Sequence, residues 1–178
     1  MYTNLFSFTH SKTIFMAYPA SLIAYAFVKK AIDEGNPVTQ MKLQKMIYFA
    51  QGVHLILHNE PLIKEQFQAW KYGPVIPALY QTFKFYGSQP VVDTDWITDP
   101  DNNNSGYTNI YNINALNEQA KETIAFTWDS TKNINAAQLS NWTHKEGSPW
   151  YNNYKEGVTD CNIPNEDITA YFSQFLEK

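Results

Sequence analysis

The sequence predicts a mainly α fold of the α+β class: a single-domain helical bundle of about six helices around a central helix at 40–58, with a small β element near 61–72. Three observations lead there. Apolar residues recur at helical spacing through 40–58, where Leu43, Met46, Ile47, Ala50, Val53 and Leu57 make one face and Tyr48, Phe49, Leu55 and Ile56 make the other side apolar too. A helix greasy on most faces belongs at the centre of its domain. Capping residues and Gly or Pro stops divide most of the remaining chain into short helices, and 178 residues with 44% hydrophobic content suffice for one substantial core.

In chain order, Ser21 is the expected cap of a helix running to about Glu34, with Ile23, Ala26, Phe27 and Ala31 on one face, Gly35 as its stop and Pro37 beyond. Thr39 caps the central helix. After Asn59, two extended pieces at 62–63 and 67–72 are placed to pair as a small ribbon. Pro77 suits the first position of the next helix, which turns Leu79, Tyr80 and Phe83 inward and stops at Gly87. Residues 88–113 form a polar, acidic, Asn-rich excursion, with short strands expected at 91–92 and 107–113. Asn114 is the expected cap of a helix carrying Leu116, Ala120, Ile124 and Trp128. Asn135 and Gln138 have the spacing of a capping box for a helix through about Thr143, after which a Gly-Ser-Pro turn leads to Trp150. Asn165 caps the last helix, with Glu166 and Asp167 in its first turn, Ile168, Phe172 and Phe175 toward the core, and Lys178 complementing the C-terminal dipole. No internal repeat calls for a second domain.

Charge is unevenly distributed: net +1 over 1–28, +3 over 29–84 and −8 over 85–178. The acidic C-terminal half is either a solvated face or a surface for a basic partner. All 13 basic residues are lysine. Without the arginine fork that reads phosphates and guanine edges, and with an acidic balance, nucleic acid is disfavoured as the main ligand. A single cysteine, Cys161, forbids an intramolecular disulfide and fits a reducing compartment. His54 and His58 stand at i and i+4, but Leu55 occupies the position where a zinc protease needs glutamate, so no metal site is expected. Neither a phosphate-binding loop nor a dinucleotide fingerprint is present, and no cofactor is expected. The apolar run 14–28 contains Ala24-Tyr25-Ala26, a signal-cleavage form. It is too short to span a bilayer and is interrupted by Pro19 and Ser21, so a cytoplasmic protein with no membrane contact is the expectation.

Three blocks of residues carry a family resemblance. The first is Lys42-Leu43-Gln44-Lys45 through Tyr48, Ala50-Gln51-Gly52 and His54; the second is Ala69-Trp70, Tyr72-Gly73-Pro74-Val75, Pro77, Leu79-Tyr80 and Phe83; the third is Leu139-Ser140, Thr143-His144, Ser148-Pro149-Trp150, Ile168 and Tyr171-Phe172. In this order and spacing they resemble the Panacea domain of SocA-like antitoxins and phage-associated GepA-like proteins. The resemblance divides the chain into an N-terminal extension at 1–15 and a Panacea-like domain at 16–178, within which the 88–113 excursion is particular to this sequence. It implies a non-enzymatic protein-binding module: an antitoxin that neutralises a cognate toxin by direct binding. A further implication is a proteolytic adaptor that delivers the toxin to a Clp-type protease.

Candidate partner-binding residues are Lys42, Lys45, Trp70, Tyr72, Tyr80, His144 and Trp150. Trp70, Tyr72 and Tyr80 are expected to gather at the Gly73-Pro74 corner, as a structural knot or as an exposed aromatic hot spot. Lys42 and Lys45 share a helical face and suit either acids of the C-terminal half or the partner. Gly52 inside a helix indicates close approach by another element, with the Trp70 ribbon as the expected neighbour. No catalytic residue is assigned; the alternative is an uncatalogued hydrolase using His54 or His144, which would require an imidazole opening onto a pocket beside a nucleophile or acid.

Overall fold

A computed structural model describes residues 17–94, 112–158 and 160–176. The expected extension at 1–15, most of the strand expected at 107–113, and Lys178 lie outside the described residues. Among the described residues the chain forms seven α-helices and five short strands. Helix α2 (Gln40–His58) is central, as its all-round apolar pattern predicts, and packs against α1 (Ala20–Asp33), α4 (Glu118–Thr131), α5 (Ala136–Thr143) and α7 (Asn165–Ser173). The Thr39 hydroxyl caps it by accepting the Lys42 N–H at 3.3 Å. Asn59, with φ +56°, ends it in the left-handed conformation and donates its N–H to Leu55 O.

Helix α1 begins two residues earlier than a Ser21 cap implies and is not capped by Ser21. Pro19 occupies the cap position without a side-chain acceptor, and the exposed Ala20 N–H is met by the Glu65 carboxylate at 2.8 Å. A carboxylate brought from elsewhere satisfies both the orphan donor and the positive end of the helix. Ala24 and Ala26, which resemble a cleavage site in sequence, are core residues here. Among the described residues, no helix is long and apolar enough to cross a membrane.

The β element differs from the expected ribbon. Strand β2 (Phe67–Trp70) pairs antiparallel with β3 (Gly73–Val75) and with β5 (Asn162–Ile163), whereas 62–63 does not join it. The reason is competition for donors: the Leu62 and Ile63 N–H groups both donate to Gln51 Oε1, at 2.9 and 3.1 Å, and Leu62 O accepts from Tyr18. A second antiparallel pair joins β1 (Val38–Thr39) to β4 (Pro90–Val91), so the strand expected at 91–92 lies one residue earlier.

Helix α3 (Pro77–Phe83) starts on proline as expected and continues through a 3-10 turn to Gly87, φ +57°. Leu79 and Phe83 enter the core, but Tyr80 is only half-buried. Asn114 does not cap α4: Asn117 does, accepting the Ala120 N–H, while Asn112 caps a 3-10 turn at Ile113–Ala115. The capping box of Asn135 and Gln138 forms in both directions. Ser148 caps the short α6 (Pro149–Asn153), where only a turn was expected. At α7, Pro164 precedes the helix and Asn165 is its first residue, so Asn165 is free to accept from Gln51 Nε2 at 3.0 Å. Ile168 and Phe172 are buried, but Phe175 lies past the helix end and is 49% exposed.

Gly52 is met by α7, not by the Trp70 ribbon. A Cβ added there would lie 2.5 Å from three atoms of the Phe172 ring. Phe172 in turn packs near Tyr48, Phe49 and Trp142, with ring centroids 5.8, 6.0 and 5.5 Å away, so it has little room to retreat. Gly52→Ala is therefore expected to destabilise the fold by about 1–3 kcal/mol despite alanine's better helix propensity. Chemical denaturation of Gly52→Ala, Phe172→Leu and the double variant checks this: the double variant should recover part of the alanine penalty.

Candidate partner-binding groove

The two residues between β2 and β3, Lys71 and Tyr72, form the tip of a tight hairpin in which Trp70 is paired with Gly73. Gly73 has φ +102°, a conformation that side-chain-bearing residues rarely adopt. A Cβ at this position would also lie 2.7 Å from Lys45 Cε and 2.8 Å from Thr143 Oγ1. Helix α5 supports the tip from behind: Ser140 Oγ donates to Tyr72 O at 2.9 Å, and His144 Nε2 lies 3.3 Å from Lys71 O. Trp150 Nε1 donates to Trp70 O at 2.7 Å and stacks between His144 and Tyr154, with ring centroids 3.7 and 4.6 Å away.

In front of the hairpin, between it and the start of α2, lies a groove of about 830 Å³. Its walls include Met41, Lys45, Trp70, Tyr72, Val75 and Tyr80. Trp70 and Tyr80 meet edge to face, with centroids 5.0 Å apart, and Tyr72 stands 66% exposed at the rim. Four of the seven sequence-derived candidates, Lys45, Trp70, Tyr72 and Tyr80, are thus gathered on one concavity. His144 and Trp150 stand behind it as supports of the hairpin, and Lys42 points to another element.

Among the described residues, neither lysine pairs with an acid of the C-terminal half. Lys42 Nζ donates to Lys132 O at 2.6 Å, where the end of α4 leaves carbonyls in need of donors. Its burial lowers its pKa. Lys45 is 1% exposed, and its ammonium donates to Pro74 O at 2.9 Å. No ion pair among the described residues includes it. Burial alone pushes its pKa from 10.5 down to about 7.

Sequence reasoning missed two glutamines in the same helix. Gln44 exchanges two hydrogen bonds with the Ile76 backbone, accepting N–H at 2.9 Å and donating to O at 3.3 Å. Gln51 binds the 62–63 backbone and Asn165. The available signal was the run Lys42-Leu43-Gln44-Lys45 itself: polar residues in an otherwise apolar central helix need buried partners.

The histidines do not form the arrangement that the hydrolase alternative requires. His54 is fully buried, its Nδ1 lies 2.9 Å from Thr123 Oγ1, and burial with the nearby His58 lowers its pKa to about 4. His144 is held between two backbone carbonyls, Ser140 O at 2.6 Å from Nδ1 and Lys71 O. Among the described residues, no cluster of three or more His, Cys, Asp or Glu is placed to hold a metal.

The described residues thus form a helical domain with an aromatic groove whose hairpin wall is held by a buried lysine and by side-chain-to-backbone hydrogen bonds. The chain belongs to the antitoxin SocA-like, Panacea domain family, whose model matches residues 43–151, a stretch that includes Lys45, Trp70, Tyr72 and Tyr80 of the groove. Antitoxin SocA of Caulobacter vibrioides (strain NA1000 / CB15N) is 35% identical over 74 residues, which is 42% of this chain and 39% of that protein. The match therefore spans well under half of that relative's length. No solved structure matches the chain.

Unfolded lysine holds its proton up to about 10.5, whereas folded Lys45 releases it near 7. Between these values the unfolded state binds more protons, so stability rises with pH. Relative to Lys45→Met, the native chain should gain at most about 1.4 kcal/mol per pH unit across that window. Urea denaturation of both proteins from pH 6.5 to 10 checks the slope, the difference between them being read as a change with pH and not as an absolute value.

Proposed function

We propose that this protein is a stoichiometric, non-enzymatic antitoxin that neutralises a cognate protein toxin in the cytoplasm by binding it at the Trp70–Tyr72–Tyr80 groove. Membership of the SocA-like antitoxin family is the observation that carries this reading. The groove supports the choice of surface. Tyr and Trp supply large contact areas at small conformational cost, and the Trp70–Tyr80 pair offers a pocketed aromatic anchor of the kind on which binding energy concentrates. Neutralisation needs no chemistry: a complex of about −12 kcal/mol has a nanomolar dissociation constant, which a standard-size interface with a few anchors reaches. Delivery of the complex to a Clp-type protease is the adaptor form of the same function; an adaptor binds toxin and protease together, and a simple blocker binds the toxin alone.

Co-expression with the product of the adjacent open reading frame tests the reading. The neighbour alone should arrest growth, this chain should restore it, and the two should purify as a complex of fixed stoichiometry. Tyr72→Ala and Tyr80→Ala, which leave the core intact, should each weaken the complex by about tenfold or more and reduce rescue. A non-toxic neighbour that forms no complex refutes the reading.

A further inference from the structure

We propose that the groove receives an acidic segment of the partner protein, with a carboxylate against the Lys45 ammonium and apolar side chains against Trp70, Tyr80 and Met41. This rests on the toxin-binding reading and adds the chemistry of what is bound.

Charge complementarity selects the occupant. Among the described residues, the groove walls carry two lysines, Lys45 and Lys71, and no aspartate or glutamate, in a chain whose net charge is −4. Lys45 is the informative one. An ammonium has three donors, and this one gives a hydrogen bond to the Pro74 carbonyl and forms no ion pair among the described residues. A buried cation without a counter-ion is costly, and truncation to an apolar side chain would relieve that cost. The fold instead accommodates it: Gly73 leaves the space that the end of the lysine stem occupies, and the hairpin presents a carbonyl to it. An incoming carboxylate supplies the missing counter-charge in a setting screened from water, where charge-assisted hydrogen bonds are strongest.

A second polar feature fits a peptide. Gln40 Oε1, also in the groove wall, is buried and accepts no hydrogen bond. It is an acceptor, complementary to a backbone N–H, whereas Lys45 is a donor complementary to an acidic side chain. Together with the aromatic walls, the two define an extended segment in which an Asp or Glu is flanked by bulky apolar residues. The volume of about 830 Å³ accommodates several side chains of such a segment.

A phage-displayed library of random dodecapeptides, selected on the full chain, provides the probes. Recovered peptides are then measured by fluorescence polarisation on the native chain, Lys45→Met, Tyr80→Ala and the exposed-lysine control Lys145→Met. The expected peptides carry Asp or Glu among Leu, Ile, Phe or Trp. They should lose affinity by about tenfold or more on Lys45→Met, on Tyr80→Ala and on Glu→Gln or Asp→Asn change within the peptide, and be unaffected by Lys145→Met. Neutral peptides, equal binding to Lys45→Met, or no groove-dependent binder would overturn the proposal. Should Lys45→Met fail to fold, the peptide amide change still decides. Growth rescue separates the two levels: a native chain that rescues while selecting neutral peptides loses only the acidic-segment proposal. A native chain that selects acidic peptides but rescues from no toxin loses only the antitoxin reading.

Discussion

The structure depends on the way one helix hydrogen-bonds the irregular chain that follows it. Helix α2 carries Gln44, Lys45 and Gln51, all buried, and each holds backbone that has no complete partner in a helix or sheet: Ile76, Pro74 and the 62–63 pair respectively. Unpaired buried backbone groups cost as much as lost hydrogen bonds, and these side chains satisfy groups that so short a sheet leaves open. Gln51 reaches further, to Asn165 at the start of α7, and so ties the 62–63 segment to the C-terminal helix. Phe172 of α7 then closes on Gly52, one residue along.

The groove is a by-product of the same arrangement. Lys45 and Gln44 fix the hairpin and the start of α3 at a set distance from α2, and α5 braces the hairpin tip through Ser140 and His144. Trp150 adds a hydrogen bond to the strand from behind. Aromatic side chains held this firmly present a preorganised surface, which lowers the ordering cost of binding. The residues that reach solvent, Tyr72 and Tyr80, are therefore separable from those that carry the fold.

Much of the local structure was readable from the residues. The all-round apolar pattern of 40–58 identified the central helix, because a helix without a polar face is stable in water only when other elements cover it on every side. Thr39, Pro77 and the Asn135–Gln138 box marked helix starts correctly, since their chemistry acts within one turn. Ser21 and Asn114 failed for the same reason in reverse. Several side chains near a helix start are competent caps, and long-range partners chose among them: Glu65 supplied the start of α1, while Asn112 and Asn117 divided the region before α4. The motif blocks carried the family and contained four of the residues that line the groove, without revealing which backbone groups Gln44 and Gln51 hold.

The sequence by itself determined the helix count to within one and the centrality of α2, because propensity, capping and periodicity are properties of neighbours in the chain. Tertiary structure alone decided which strand pairs with which, that α7 rather than the hairpin closes on Gly52, and that Lys45 is buried against the Pro74 carbonyl. Those outcomes turn on competition among distant donors, acceptors and rings for the same buried space. No local pattern encodes the winner, since each contender is equally plausible until the packing of α2, α5 and α7 excludes the others.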